Sequence, residues 1–443
     1  MRENLSQFVL TQKLLVIGTA LFLILGMVVS VSADTAVADK AAQVALGEAL
    51  YNDVNLSAGQ NQSCATCHNP APIAPQVVGS FIDDRPPVAA LTGADPPWPA
   101  LVPPPVSQGS DPALFGGRNT PSAAYAAFSP AFRFDEVAGL YVGGQFWDGR
   151  EMSLAGQAAG PFRNPVEMAM ADKSAVVLAL QNTLVDPDYQ TLFAAAYETE
   201  DGPFLLDAVD GTSNQAVLEA YDLMAKAIGE FEKTQFFNKF NSRYDDYLFN
   251  GIPLTKDEEK GLKLFEGKGK CALCHISQAS TAPNGGPMPP LFTDFTYDNL
   301  GVPKNLFIED LAGPQDPDLG LGGALGENPA EGANIGKFKV MTLRNIEITA
   351  PYAHNGVFQT LEQIVHFYNT RDVLGVCLAG NKDPGFGLTC WPAAEVPLNM
   401  NVAELGDLGL TDMQEAHIVA FLKTLTDTTA APVFLEANFP PMP

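Results

Sequence analysis

Basic residues are scarce in this chain: 25 lysines and arginines stand against 51 aspartates and glutamates, a formal net charge of −26. A surface of that sign repels nucleic acid and anionic lipid and argues against both as partners. It steers instead toward a basic patch on a redox partner, although plain solubility also accounts for an acidic composition. Apolar runs are scarce too. After residue 31 none is long and apolar enough to cross a bilayer. The one such run, Leu14 to Val31, follows Arg2 and Lys13 and ends in Val31-Ser32-Ala33 before Asp34. That is the layout of a secretory signal, residues 1–33, cleaved after Ala33. The run is nearly long enough to serve as an uncleaved anchor, but Gly18, Gly26 and the polar exit favour cleavage. Its loss removes two cations and one anion, which takes the net charge from −26 to −27. The expectation is a periplasmic protein with no stable membrane insertion once the signal is gone.

Cysteine is limited to six residues, and four of them lie in two copies of one motif. Cys64-Ala65-Thr66-Cys67-His68 and Cys271-Ala272-Leu273-Cys274-His275 each have the form of a c-type haem attachment signal. In such a signal two thiols add across the haem vinyl groups, and the adjoining imidazole becomes the proximal iron ligand. A lone Cys-x-x-Cys also fits a redox pair or half a zinc site; two pairs each followed by His do not. Two covalently bound haems c are therefore expected, and export agrees with them, because such haems are assembled outside the bacterial cytoplasm. Cys377 and Cys390 remain. In an oxidising compartment they are expected to close a Gly/Pro-rich loop as a disulfide worth about 2–3 kcal/mol, with a catalytic thiol as the weaker reading.

At 443 residues and 46 % hydrophobic composition, the chain can build two or three domains with real cores. Its pattern repeats. A helix-like stretch precedes each haem signal, from Ala41 to Tyr51 and from Glu258 to Phe265, and each has a glycine four residues ahead of an aromatic, suited to close helix approach. A strong helix closes each half, from Ala216 to Phe237 and from Thr411 to Leu425. Thr411 and Glu415 stand one residue off a capping box, which leaves Thr411 or Asp412 as N-cap. The fold expected is mainly α, with two cytochrome c-like domains, residues 34–240 and 241–443, meeting within Asn238–Pro253. The Pro-, Gly- and Ala-rich stretch before Arg118 and the stretch from Ser277 to Lys337 read as long ordered loops over the haems.

Ordered motifs fill the rest: Gly117-Arg118-Asn119-Thr120-Pro121, Phe146-Trp147-Asp148-Gly149-Arg150, Gln157-Ala158-Ala159-Gly160-Pro161, Asn164-Pro165-Val166-Glu167-Met168, Leu343-Arg344-Asn345 and Thr349-Ala350-Pro351-Tyr352-Ala353-His354-Asn355-Gly356. In these the sequence resembles the bacterial dihaem cytochrome c peroxidase superfamily, which includes the MauG-like maturation enzymes, over nearly all of the mature chain. The resemblance implies a first haem that reacts with hydrogen peroxide and a second that carries electrons. Glu167 matches the distal glutamate, a general acid–base that moves a proton between the peroxide oxygens. Gln157 hydrogen-bonds the bound oxygen species, and Pro161 shapes the pocket. Trp147 matches the inter-haem tryptophan. Asn119, Thr349 and Pro351 match positions whose oxygens bind a structural Ca²⁺, and hard loop oxygens suit that ion.

No His or Met occurs between Asn69 and Glu151. Where other members place a blocking histidine, this chain has Ser107-Gln108-Gly109-Ser110-Asp111, so the first iron is expected to be open to peroxide without activation; Met152 or Met168 folding back is the rival. At the second haem Tyr368 stands where peroxidases of the family carry a ligand Met, as in the MauG-like branch. Phenolate lowers the potential where thioether raises it, so the second haem reads as a store of oxidising equivalents. His366, the runner-up ligand, lies two positions away on another helix face. His354 and His417 read as structural. One departure counts against a maturation role: MauG-like enzymes pass holes to protein through a Trp six residues before the second haem's His, and here that position is Gly269, between Lys268 and Lys270, which offer a small positive docking spot. Three roles follow: peroxide removal fed by a small electron-donor protein, peroxide-dependent oxidation of a partner protein, or a non-enzymatic electron carrier.

Overall fold

The computed structural model describes residues 39–68, 105–183, 187–200, 202–281 and 287–428. Residues 1–33, read from the sequence as a secretory signal, lie outside them, as do residues 69–104 and 429–443. All described residues belong to one compact unit. It is helix-rich, with strands confined to two-stranded ladders. Among the described residues no helix is long and apolar enough to cross a membrane.

Two helix crossings organise the chain. Helix α1 (Lys40–Asn52) packs on the closing helix of the first half, and the helix Lys256–Glu266 packs on that of the second. In between come α2 (Leu154–Ala159), α3 (Lys173–Asn182), α4 (Tyr189–Ala196), α5 (Asn214–Glu232) and α6 (Arg243–Phe249), so the helix Lys256–Glu266 is α7. Helices α8 (Leu306–Ala312), α9 (Leu361–Thr370) and α10 (Asp412–Lys423) follow. Glycine sets both crossings. A Cβ on Gly47 of α1 would lie 2.0 Å from the Ala227 carbonyl oxygen of α5, and one on Gly261 of α7 would lie 1.9 Å from the His417 carbonyl oxygen of α10. Four residues on, Tyr51 meets Phe231 edge-on at 5.5 Å, and Phe265 meets Phe421 at 5.2 Å. The expected glycine-to-aromatic spacing is thus what brings each helix pair together.

Caps explain where the closing helices differ from expectation. α5 is N-capped by Ser213, whose hydroxyl accepts from the Ala216 amide, and it ends at Glu232 rather than Phe237. The side-chain amide of Asn238 takes the Glu232 and Thr234 carbonyls at 2.9 and 2.8 Å, which closes the helix and turns the chain away. α10 is capped by Thr411 with Gln414 completing the box. Glu415, the residue one position off, instead faces His366 and Asn369 of α9.

Buried apolar side chains fall into two clusters. One runs from Leu46 to Phe240, the other from Tyr244 to Leu425. Arg344 joins them. Its guanidinium, 2 % exposed, pairs twice with Asp245 at 2.9 Å, donates Nε–H to the Pro290 carbonyl, and lies 4.4 Å from the ring centroid of Phe240 and 5.0 Å from that of Tyr125. The Tyr125 hydroxyl reaches across to Asp427 at 2.8 Å. Cys377 and Cys390 form the expected disulfide. It fastens the ladder in which Gly375–Val376 pairs in parallel with Cys390–Trp391 and seats Trp391 beneath α9.

Candidate functional site

Each Cys-x-x-Cys-His turn is built to present its side chains to a cavity. At the first, the Ser63 amide donates to Thr66 Oγ1 at 2.9 Å, the His68 amide closes on the Cys64 carbonyl at 2.8 Å, and the Tyr51 hydroxyl holds the His68 carbonyl at 3.2 Å. At the second, Lys270 adopts a left-handed φ of 56° and the His275 amide closes on the Cys271 carbonyl at 2.9 Å. Burial pushes the Cys64 thiol well up, and those of Cys271 and Cys274 up to about 12. These three are not the low-pKa thiols of a redox protein. His275 Nδ1 lies 2.8 Å from the Phe292 carbonyl oxygen, which only accepts, so Nδ1 carries the proton and Nε2 keeps its lone pair for a metal. Burial also lowers the pKa of this imidazole, so it is held neutral, as a ligand must be.

The first cavity, about 580 Å³, is lined by Cys64, Cys67 and His68 together with Gln157, Pro161 and Glu167. The expected acid–base group, amide and proline therefore face one space with the thiols and the imidazole. Glu167 is half-buried, and burial raises its pKa, with Arg150 and Asn164 opposing. Its carbonyl accepts from the Ser110 amide at 2.6 Å, and Gly109 lies so close to Val166 that an added Cβ would come 2.8 Å from its carbonyl oxygen. The Ser107–Asp111 segment is thereby clamped against the glutamate loop. Of the two rival methionines, Met152 is 62 % exposed and does not line the cavity; Met168 is buried in the first core and does.

The second cavity, about 190 Å³, is lined by Cys271, Cys274, His275 and Tyr368. Burial, and to a lesser extent the nearby Cys271 and Cys274 sulfurs, hold the Tyr368 phenol well above its ordinary value. His366 is turned away, with Nδ1 3.0 Å from both Glu415 oxygens. Gly269 also lines this cavity, and a Cβ there would meet the Leu264 carbonyl oxygen at 2.8 Å and Ile418 at 3.2 Å. Lys270 is tied to the Ala403 carbonyl at 2.9 Å, and Lys268 to that of Gly409, so both docking lysines are folded back on the chain's own loops.

Trp147 lines both cavities. Its indole N–H donates to the Asn119 carbonyl at 2.9 Å, and its own carbonyl accepts from the Lys339 amide at 2.8 Å. The preceding Phe146 adopts φ 64°, unusual for a bulky residue, and carries the Arg150 guanidinium 3.6 Å over its ring. Asn119, Thr349 and Pro351 all line the second cavity; the Asn119 amide lies 2.7 Å from the Pro351 carbonyl oxygen, while the Thr349 hydroxyl donates to Ile346. His354 stacks on Phe338 at 3.6 Å and sits in the wall shared by the two cavities, and His417 is satisfied by Asp257 at 3.2 Å.

Three groups of the site were not foreseen. Arg118 binds Asp318 through Nε and Nη2 and Asp148 through Nη1, at 2.6 to 2.7 Å, and all three residues line the first cavity. Lys339 is 7 % exposed, bonded to Ser129 and to the Gly144 carbonyl, and burial lowers its pKa to about 7. Glu232 is 6 % exposed in the wall of the first cavity, and burial pushes its carboxyl up to about 8. Only the last left a signal: an acid on the apolar stripe of α5, four residues after Ile228.

Two cavities, each offering a thiol pair and an imidazole, fit two haems. The comparisons with known proteins agree. The sequence profile of the di-haem cytochrome c peroxidases matches residues 41–251. The methylamine utilization protein MauG of Paracoccus denitrificans is 37 % identical over 401 residues, covering 90 % of this chain and 92 % of its own length. The cytochrome c peroxidase Ccp of Escherichia coli is 28 % identical over 326 residues, covering 73 % of this chain and 52 % of its own. Among solved structures, the diheme peroxidase BthA of Burkholderia thailandensis is similar with a TM-score of 0.68 and 30 % identity over 87 % of this chain and 86 % of that one. The chain belongs to the di-haem cytochrome c peroxidase family, oxidoreductases that carry two haems and use peroxide as oxidant.

Proposed function

We propose that this chain is an exported, periplasmic dihaem c-type peroxidase that reduces hydrogen peroxide at its N-terminal site, residues 34–240, with electrons relayed through its C-terminal site, residues 241–443. The observation that carries the reading is the pairing of Glu167 and Gln157 in one cavity with Trp147 in the wall it shares with the other. Cys64, Cys67 and His68 hold the first haem, and Cys271, Cys274 and His275 the second, with Tyr368 as its other ligand. Haem iron supplies the oxygen-binding centre and the electrons for O–O cleavage. The Glu167 carboxylate takes the proton from the attacking peroxide oxygen and returns it to the leaving one. Gln157 orients the peroxide by hydrogen bonding, and Pro161 limits the space beside it. The Trp147 indole lies on the electron path between the sites. Asn119, Thr349 and Pro351 hold Ca²⁺ at that junction; all three line the second cavity, which supports the reading.

A second reading, peroxide-dependent oxidation of a partner protein, is favoured by the tyrosine at 368 and by the 37 % identity to MauG. Against it stands Gly269, packed too tightly for a tryptophan exit. The test is the spectrum of the diferric protein before and after one equivalent of peroxide, followed by turnover with a small reduced electron carrier. A peroxidase responds without prior reduction and oxidises the carrier repeatedly. A maturation enzyme responds but turns the carrier over poorly. Two six-coordinate low-spin haems with no response would leave a pure electron carrier.

A further inference from the structure

The two helix crossings correspond residue by residue. A Cβ on Gly47 would meet the carbonyl of Ala227 and Cβ of Phe231; one on Gly261 would meet the carbonyl of His417 and Cβ of Phe421. Ala227 therefore matches His417 and Phe231 matches Phe421. The next residues are Glu232 in the first half and Leu422 in the second, 6 % and 5 % exposed. In the second half an apolar leucine fills this buried position. The first half has a carboxyl there instead, and its Oε2 has no hydrogen-bond partner among the described residues. A buried acceptor left without a donor is costly in an apoprotein, and such groups concentrate where a site uses them.

A residue able to donate to it lines the same cavities. Glu232 shares a small cavity of about 60 Å³ with His68, in addition to the larger one. The Tyr51 hydroxyl holds the His68 carbonyl. In the second half the corresponding imidazole, His275, shares its Nδ1 proton with a neutral backbone carbonyl, that of Phe292. We propose that Glu232 is a positioning residue for His68, its carboxyl accepting the Nδ1–H in the haem-loaded protein, so that the first iron has an imidazole of imidazolate character and the second a neutral one. This deepens the peroxidase reading and rests on His68 being an iron ligand. A carboxylate partner raises the basicity of a ligating imidazole and lowers the potential of its metal. That difference suits a first site that gives electrons to peroxide and a second that passes them on.

The experiment uses the haem-loaded protein with Glu232→Gln, which keeps the shape, and Glu232→Leu, which copies the second half. The midpoint potential of each haem is measured by spectroelectrochemistry, and the iron–histidine stretch by resonance Raman of the reduced protein. Both variants are expected to raise the first potential by about tenfold in the redox equilibrium, ~59 mV for one electron, to lower the first iron–histidine frequency, and to leave the second haem unchanged. Two haems per chain with both readouts at the wild-type values would overturn the inference alone. One haem per chain, with none attached at His68, would overturn the functional reading beneath it.

Discussion

Glu167→Gln separates proton transfer from every other property of the first site. The exchange is isosteric. The backbone at this position is held from outside, by the Ser110 amide on the Glu167 carbonyl at 2.6 Å and by the close packing of Gly109 on Val166, so the loop has no reason to move. Haem content, the resting spectrum and thermal stability are expected to match wild type. What is lost is a group that can accept and return a proton. General acid–base catalysis contributes about 10²- to 10⁴-fold, which at about 1.36 kcal/mol per decade is about 2.7–5.4 kcal/mol of barrier. The bimolecular rate with peroxide, followed by stopped flow, is expected to fall by that factor. The pH profile gives a second, independent reading. The base must be ionised, and burial raises the Glu167 pKa above 4.5 while Arg150 opposes. The wild-type rate should therefore fall on the acid side through that raised value. Glu167→Gln should have no such limb, and Arg150→Met, which removes an opposing cation, should move the limb to higher pH. A glutamine variant within threefold of wild type, or one that keeps the acid limb, would refute the assignment.

Three further outcomes follow from the geometry. Tyr368→Met replaces an anionic oxygen donor with a thioether and should raise the potential of the second haem only, read by redox titration; an unchanged potential means that the phenol is not a ligand. Arg344→Met leaves Asp245 with only Ser242 as partner at the joint between the two cores, and should cost about 3–5 kcal/mol in denaturant unfolding; a loss below about 1 kcal/mol would show that the pair is not structural. Gly261→Ala places a methyl 1.9 Å from the His417 carbonyl oxygen, so α7 and α10 must part. Overpacking of this kind costs about 1–3 kcal/mol, visible as a lower melting temperature, and an unchanged melting temperature would show that the crossing is slack.

What could be read from the sequence was local. The two attachment turns hold their thiols and imidazole within five residues, and the glycine-to-aromatic spacing needs only one helical turn, so both were legible before any contact was known. The limits of the elements were less so. α5 stops at Glu232 because Asn238 reaches back to cap it, and α10 is capped through Gln414 because Glu415 is engaged by His366 on a different helix. Those choices depend on partners that no window of sequence contains. The shared wall was illegible for the same reason. Lys339 reaches Ser129 and Gly144 from about two hundred residues away, and Arg118 reaches Asp318 across a similar interval.

The same repeat produces two sites that are chemically unlike, and the differences sit at corresponding places. The helix frame is common: a glycine crossing, an aromatic four residues on, a thiol pair and an imidazole. Upon it the first half adds a cavity of about 580 Å³ with an ionisable carboxyl at 167, and a second buried carboxyl at 232. The second half has about 190 Å³, a leucine where that buried acid stands, and a phenol in the same cavity as the imidazole. A larger space with proton-transfer groups favours a small oxidant that must be cleaved; a smaller one without them favours electron exchange. Trp147, Asn119, Asp318, His354 and Glu395 line both cavities, so the partition between them is a single wall built from both halves of the chain. A substitution in that wall acts on both sites at once, whereas one at Glu167, Glu232 or Tyr368 acts on one. Measured haem by haem, that contrast distinguishes a coupled pair of unequal irons from two cytochrome sites that merely share a chain.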